Sequence, residues 1–199
     1  AHCNFKLRGA DSDGDAEFVR ALAGKYSVPF FETAFDTIRL AREGGQSIQV
    51  AARELRYEWL EEIRNDAREL WLLGDVFDYW FEYRKVVPRG FTRFLGTLAS
   101  LSDDGVQIHL IPGNHDIWVF NYLTQEIGLE VHQEALLKTW NSHTFLLGHG
   151  DGVHKGDYSY RLLQALFKNR VMQWLYARIH PNGSTSFAHW WSKKSRMRK

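Results

Sequence analysis

Three short apolar runs, each stopped by glycine and followed at once by oxygen or imidazole donors, set the strongest limit on what this chain can fold into. Glu69-Leu70-Trp71-Leu72-Leu73 leads into Gly74-Asp75-Val76-Phe77-Asp78. Val106-Gln107-Ile108-His109-Leu110-Ile111 leads into Pro112-Gly113-Asn114-His115-Asp116, and His143-Thr144-Phe145-Leu146-Leu147 into Gly148-His149-Gly150-Asp151. Apolar runs of this length bounded by glycine predict buried strands that end in tight turns. In an open α/β sheet adjacent strands release their chains along one edge, and ligands collect in the crevice there. The pattern therefore predicts an α/β chain, a layered sheet core with flanking helices, whose three strand ends build one site.

The donors that converge on that site are chemically matched. Asp75, Asn114 and His149 are hard or borderline ligands that suit Mn, Mg, Zn or Fe better than a soft metal. A carboxylate can bridge two ions, and two divalent ions about 4 Å apart clamp a phosphoryl group and supply hydroxide at neutral pH.

Gly74-Asp75-x-x-Asp78, Gly113-Asn114-His115-Asp116 and Gly148-His149, in this order, resemble the motifs of the metallophosphoesterase superfamily. Asp75-Val76-Phe77-Asp78-Tyr79-Trp80-Phe81-Glu82-Tyr83, Pro88-Arg89-Gly90-Phe91 and Gly148-His149-Gly150-Asp151-Gly152 narrow the likeness, over residues 60–199, to the UDP-2,3-diacylglucosamine hydrolases of lipid A synthesis. The resemblance implies a Mn²⁺ site with Asp75 as bridging carboxylate and Asn114 and His149 on the second ion. It implies that His115 stabilises the transition state or protonates the leaving group, work suited to an imidazole titrating near neutrality. Asp78, Asp116 and Asp151 would orient these groups, and Arg161 and Lys168 would meet a nucleotide-lipid substrate. The family also carries an Asp-x-His pair on its first strand and a Gly-His-x-His pair near its end. No Asp-x-His or His-x-His triplet occurs in these 199 residues, so the site written here is incomplete.

Residues 1–59 fall outside that pattern. Ala1-His2-Cys3-Asn4-Phe5-Lys6-Leu7-Arg8-Gly9, then Val28-Pro29, Ser47-Ile48 and Ala51-Ala52-Arg53-Glu54-Leu55-Arg56-Tyr57, resemble the tRNA(Ile)-lysidine synthetases, which are PP-loop ATPases. The Ser-Gly-Gly-x-Asp-Ser loop that grips ATP in that family is absent, so no nucleotide chemistry carries over. The two resemblances meet inside one expected helix, near residues 57–62, without a Pro, Gly or Ser-rich spacer. This predicts a chimera in three parts: 1–59, a core at 60–151 and a cap at 152–199, with residues 1–59 folding against the core. Alternatives to a hydrolase are therefore a synthetase fragment and a non-catalytic chimera. The absence of a starting methionine fits a fragment.

Charge is informative once divided. Residues 152–199 hold ten Lys or Arg against Asp157 alone, a balance of +9, so with the whole chain at +1 the first 151 residues carry −8. In 158–179, Leu163, Phe167, Val171, Leu175 and Ile179 recur every fourth residue and predict one continuous helix. Aromatics such as Trp174, Trp190 and Trp191 among the cations suit an anionic membrane surface more than nucleic acid, although stacked aromatics and cations also serve RNA. No apolar run approaches the roughly 20 residues that span a bilayer. The single Cys3 excludes an internal disulfide, consistent with the cytoplasm or the inner face of its membrane.

Smaller expectations complete the reading. Gly9–Gly14 is expected to be a polar loop before a helix capped by Asp15, and Val28–Phe35 a strand. Ser47 is expected to cap a helix reaching about Asp66. Asp11-Ser12-Asp13-Gly14-Asp15 places its glycine fourth, not sixth, so it does not match a calcium loop. His109 is expected to be a hydrogen-bonded core residue, and His132 to lack a ligand partner.

Overall fold

The computed structural model describes residues 2–62, 64, 66–77, 79–150, 164–184 and 186. The chain divides into two compact units, Ala1–Asp66 and Ala67–Lys199.

The first unit pairs β1 (His2–Asn4) in parallel with β2 (Glu32–Ala34) and carries α1 (Ala10–Lys25), α2 (Thr37–Glu43) and α3 (Ile48–Glu62). The expected loop at Gly9–Gly14 is helix instead. Asp11 and Asp13 fall in the first turn of α1, where acidic side chains oppose the positive end of the helix dipole. Asp15 is therefore inside the helix, not its cap, and forms an ion pair with Arg8. The second strand is also shorter than expected, Glu32–Ala34 instead of 28–35. Ser47 does cap its helix, its hydroxyl accepting from the Val50 N–H at 3.3 Å, and α3 is described over Ile48–Glu62. Buried Asn4 donates to Asp13 at 2.9 Å, tying β1 to α1.

The second unit has a three-stranded parallel sheet in the order β3 (Glu69–Leu73), β4 (Gln107–Ile111), β5 (Glu130–Val131). Its register aligns Leu73 with Ile111, so β3 and β4 end side by side. β4 is buried from Ile108 to Ile111, as a central strand should be. β3 is only half-buried.

The third expected strand, β7 (His143–Leu147), lies elsewhere: it pairs antiparallel with β6 (Leu136–Trp140) in a separate two-stranded sheet. It is also not buried, because Leu146 and its partner Leu137 are 72% and 69% exposed. A hairpin of this kind alternates its faces, while a parallel strand covered on both sides does not.

α4 (Thr92–Asp103) buries Phe94, Leu95, Leu98 and Leu101, the i, i+1, i+4, i+7 stripe of an amphipathic helix. Phe77 stacks on Trp80 with ring centroids 4.2 Å apart, and Trp80 is fully buried. Glu82, also buried, accepts from the backbone N–H groups of Asn121 (2.8 Å) and Tyr122 (3.2 Å), fixing the loop that leads into the π-helical turn Leu123–Ile127.

Of the helix expected over 158–179, residues 158–163 lie outside the described residues, and the remainder is interrupted. A helical stretch at 164–168 ends at Asn169, whose extended backbone and side chain start α5 (Arg170–Tyr176). Its Oδ1 accepts from Val171 N at 2.9 Å and Met172 N at 3.2 Å. The every-fourth-residue pattern conceals this break because Asn169 is polar at a position that the pattern leaves free. Asn169→Ala is expected to destabilise this segment by about 1 kcal/mol, measured as loss of amide protection over 170–176 in hydrogen exchange. Val171, Trp174 and Leu175 are exposed, while Phe167 and Tyr176 pack on Trp118 and Phe81. Tyr176 and Tyr79 share a hydroxyl hydrogen bond of 2.7 Å, and burial raises the pKa of both phenols.

Candidate metal centre at the strand ends

At the end of β3 the backbone takes two left-handed steps, Gly74 (φ 77°) and Asp75 (φ 50°). These successive steps turn the N–H groups of Asp75 and Val76 toward one point, a concavity suited to an anion. Asp116 occupies it: its carboxylate accepts from Asp75 N at 3.3 Å, from Val76 N at 2.8 Å, and from Gly113 N. The side chain is completely buried. Burial raises its pKa above the ordinary carboxylate value, and the backbone N–H bonds from Val76 and Gly113 oppose that rise. Asp116 thus locks the turn after β3 to the turn after β4.

That lock brings Asp75, Asn114 and His149 together. His149 Nε2 lies 3.4 Å from Asp75 Oδ2 and 3.3 Å from Asn114 Oδ1. Its Nδ1 lies 3.1 Å from the Leu73 carbonyl, which orients the ring so that Nε2 faces the two side-chain oxygens. Asp75 Oδ1 accepts from the His115 N–H at 3.0 Å, so one carboxylate oxygen is held by backbone and the other faces His149. His115 is placed next to Asp75 through this bond, and its carbonyl accepts from Trp80 N at 2.9 Å.

The packing explains both glycines. A methyl on Gly113 would lie 2.6 Å from Asp75 N and 3.0 Å from His149 Cε1, and one on Gly74 would lie 2.6 Å from His149 Cγ. Only bare backbone leaves room for the imidazole between the two turns. Asp75 and Asn114 are exposed and His149 is largely covered, and the three donors are oxygen, oxygen and imidazole nitrogen, a set that fits a divalent cation of the Mn, Mg, Zn or Fe kind.

Asp78, Asp151 and Arg161, expected beside this group, lie outside the described residues. Lys168 is exposed at the end of the 164–168 stretch, next to Phe167, whose carbonyl accepts from Trp118 Nε1 at 2.8 Å. One cluster escaped the sequence reading. The pairing of β4 with β5 sets His109 opposite Glu130 and brings in His132, so His132 does have partners. The alternation Glu130-Val131-His132 was the available signal, but the parallel register that aligns it with His109 is a tertiary fact.

An α/β unit in which two parallel strand ends bring Asp and Asn, and a neighbouring hairpin brings His, around bare glycines is the arrangement of metal-dependent phosphoesterases. The chain belongs to the calcineurin-like phosphoesterase family, whose model matches residues 51–195. It is 48% identical over 139 residues to the UDP-2,3-diacylglucosamine hydrolase of Porphyromonas gingivalis, covering 69% of this chain and 53% of that protein. It is 31% identical over 134 residues to the same enzyme of Edwardsiella ictaluri, covering 67% of this chain and 51% of that protein. A separate segment is 54% identical over 66 residues to the tRNA(Ile)-lysidine synthase of Porphyromonas gingivalis, covering 33% of this chain and 14% of the synthase. Both resemblances read from the sequence therefore hold. The chain spans about half the length of the hydrolases it matches.

Proposed function

We propose that the strand-end group is one half of a Mn²⁺-dependent pyrophosphatase centre acting on a nucleotide-lipid of the UDP-2,3-diacylglucosamine type. The observation that carries this reading is the convergence of Asp75 Oδ2 and Asn114 Oδ1 on His149 Nε2 at 3.3–3.4 Å. In this reading Asp75, Asn114 and His149 hold the cation. A divalent cation in such a site supplies Lewis acidity toward a phosphoryl oxygen and a nucleophile at neutral pH.

The chain's own groups supply the rest. Asp116 keeps the two turns in register, and the backbone bond from His115 to Asp75 keeps the imidazole of His115 beside the phosphate, where it gives a proton to the departing phosphate oxygen. The exposed apolar side chains Val171, Trp174 and Leu175 offer acyl chains a surface, with Lys168 and Arg178 positioned for anionic headgroups. No helix among the described residues is long and apolar enough to cross a membrane, so attachment at an anionic membrane would be peripheral.

The second reading is a non-catalytic chimera. It is favoured by the synthase-like segment, 54% identical over 66 residues to a tRNA(Ile)-lysidine synthase, which shares this chain with the hydrolase-like one. Calorimetry with Mn²⁺, run alongside hydrolysis of a UDP-linked lipid, separates the two. The hydrolase reading expects binding that falls at least 10-fold in Asp75→Ala, with turnover in the parent chain lost in the variant. Binding without turnover supports the chimera. Binding unchanged in Asp75→Ala removes the strand-end group from both readings.

A further inference from the structure

We infer that His109, Glu130 and His132 form a second divalent-cation site, suited to Zn²⁺, that clasps β5 to β4 away from the strand ends. The three residues meet because β4 and β5 are parallel with His109 opposite Glu130, and the chain leaving β5 returns His132 to the same face. His132 is held there by its N–H bond to the Leu110 carbonyl at 2.8 Å.

The separations approach those of a coordination polyhedron, with a different Glu130 oxygen nearest each imidazole. His109 Nδ1 and His132 Nε2 are 3.1 Å apart, His109 Nδ1 and Glu130 Oε2 3.3 Å, and His132 Nε2 and Glu130 Oε1 3.7 Å. Zinc bonds of about 2.0–2.2 Å in a tetrahedron place neighbouring donor atoms roughly 3.3–3.6 Å apart. The cluster is thus close to the size that a zinc ion requires. Two imidazoles and one carboxylate are borderline and hard donors, the ligand set of many zinc sites with one coordination position left open.

The surroundings favour the ligating form of these residues. Trp71, the β3 partner of His109, stacks on both imidazoles, with centroids at 4.0 Å and 5.4 Å, and holds their ring planes. Lys138, the nearby cation, is committed to Glu69 at 3.2 Å. Glu130 is 66% exposed and gives an ion a path from solvent.

Position in the sheet says what the clasp does. β5 is only two residues long. A strand that short adds little pairing of its own, so a cation shared between it and β4 would hold it in place. β4 delivers Asn114 three residues after its last position, so the clasp steadies one arm of the strand-end centre.

Cobalt substitution tests this without reference to turnover. Co²⁺ added to the full chain carrying Asp75→Ala, in which the strand-end group is disabled, is expected to give the intense visible bands of a tetrahedral ion at one equivalent, displaced by Zn²⁺. Adding His132→Ala or Glu130→Gln is expected to weaken Zn²⁺ binding at least 100-fold and remove those bands. Glu130→Gln alters an exposed side chain, so it remains informative if His132→Ala misfolds. Zinc affinity unchanged in a folded Glu130→Gln variant, or no Zn²⁺ binding by the Asp75→Ala chain, would overturn the inference and leave the two imidazoles sharing only a proton.

Discussion

Asp116→Ala is expected to cost about 3–5 kcal/mol of folding stability and to abolish Mn²⁺ binding at the strand ends, although Asp116 faces no ligand itself. The carboxylate is fully buried and accepts from three backbone N–H groups on two different turns. Each buried donor left without an acceptor costs about 1–3 kcal/mol, and the Asp75 contact is the longest of the three, so the sum falls below the ceiling. Part of the loss is offset, because a buried carboxylate is itself costly to desolvate, as its raised pKa shows. Asp116→Asn keeps one acceptor oxygen and is expected to lose about half as much. Urea unfolding of both variants provides the measurement, with calorimetry for the metal. An Asp116→Ala chain within about 1 kcal/mol of the parent would mean that the turns hold their shape without the lock.

The strand-end site was legible because its grammar is local. An apolar run, a glycine and a donor follow one another within a few residues, and Asp75, Asn114 and His149 do lie together, although His149 arrives from a hairpin and not from an adjacent strand of the sheet. The sheet assignment of β7 was not legible. Its run of Phe145-Leu146-Leu147 reads as a buried strand, and only pairing with β6 shows that Leu146 faces outward. The break at Asn169 was missed for a related reason: hydrophobic spacing records which face is apolar, not whether the backbone stays helical between apolar positions. Asn at a position free of packing can cap as readily as it can continue a helix. α1 failed in the opposite direction. Gly9 to Gly14 looked like a loop by composition, yet acidic residues at a helix start are favoured by the dipole, and an interior glycine costs only about 1 kcal/mol. The His109–Glu130–His132 group needed the register of two parallel strands 21 residues apart, which no sequence window contains.

Gly74→Ala is the sharper test of the centre itself, because its effect is predicted to pass through one side chain. At φ 77° an alanine carries about 1–2 kcal/mol of backbone strain. The added methyl would also lie 2.6 Å from His149 Cγ and 2.9 Å from Gly113 Cα. The second contact is backbone and yields little, while the imidazole can rotate away. If it does, His149 loses the Leu73 carbonyl that orients it, and Nε2 leaves the two oxygens. Mn²⁺ affinity is then expected to fall about as far in Gly74→Ala as in His149→Ala, on the order of 10-fold to 100-fold. The double variant should lose little more than either alone, since both remove the same nitrogen. Stability separates the two singles: Gly74→Ala should unfold at markedly lower urea, whereas His149→Ala, which removes a side chain without straining the backbone, should shift the midpoint less. Losses of affinity that add in the double variant would show that Gly74 shapes the centre through Gly113 and Asp75 and that His149 contributes independently.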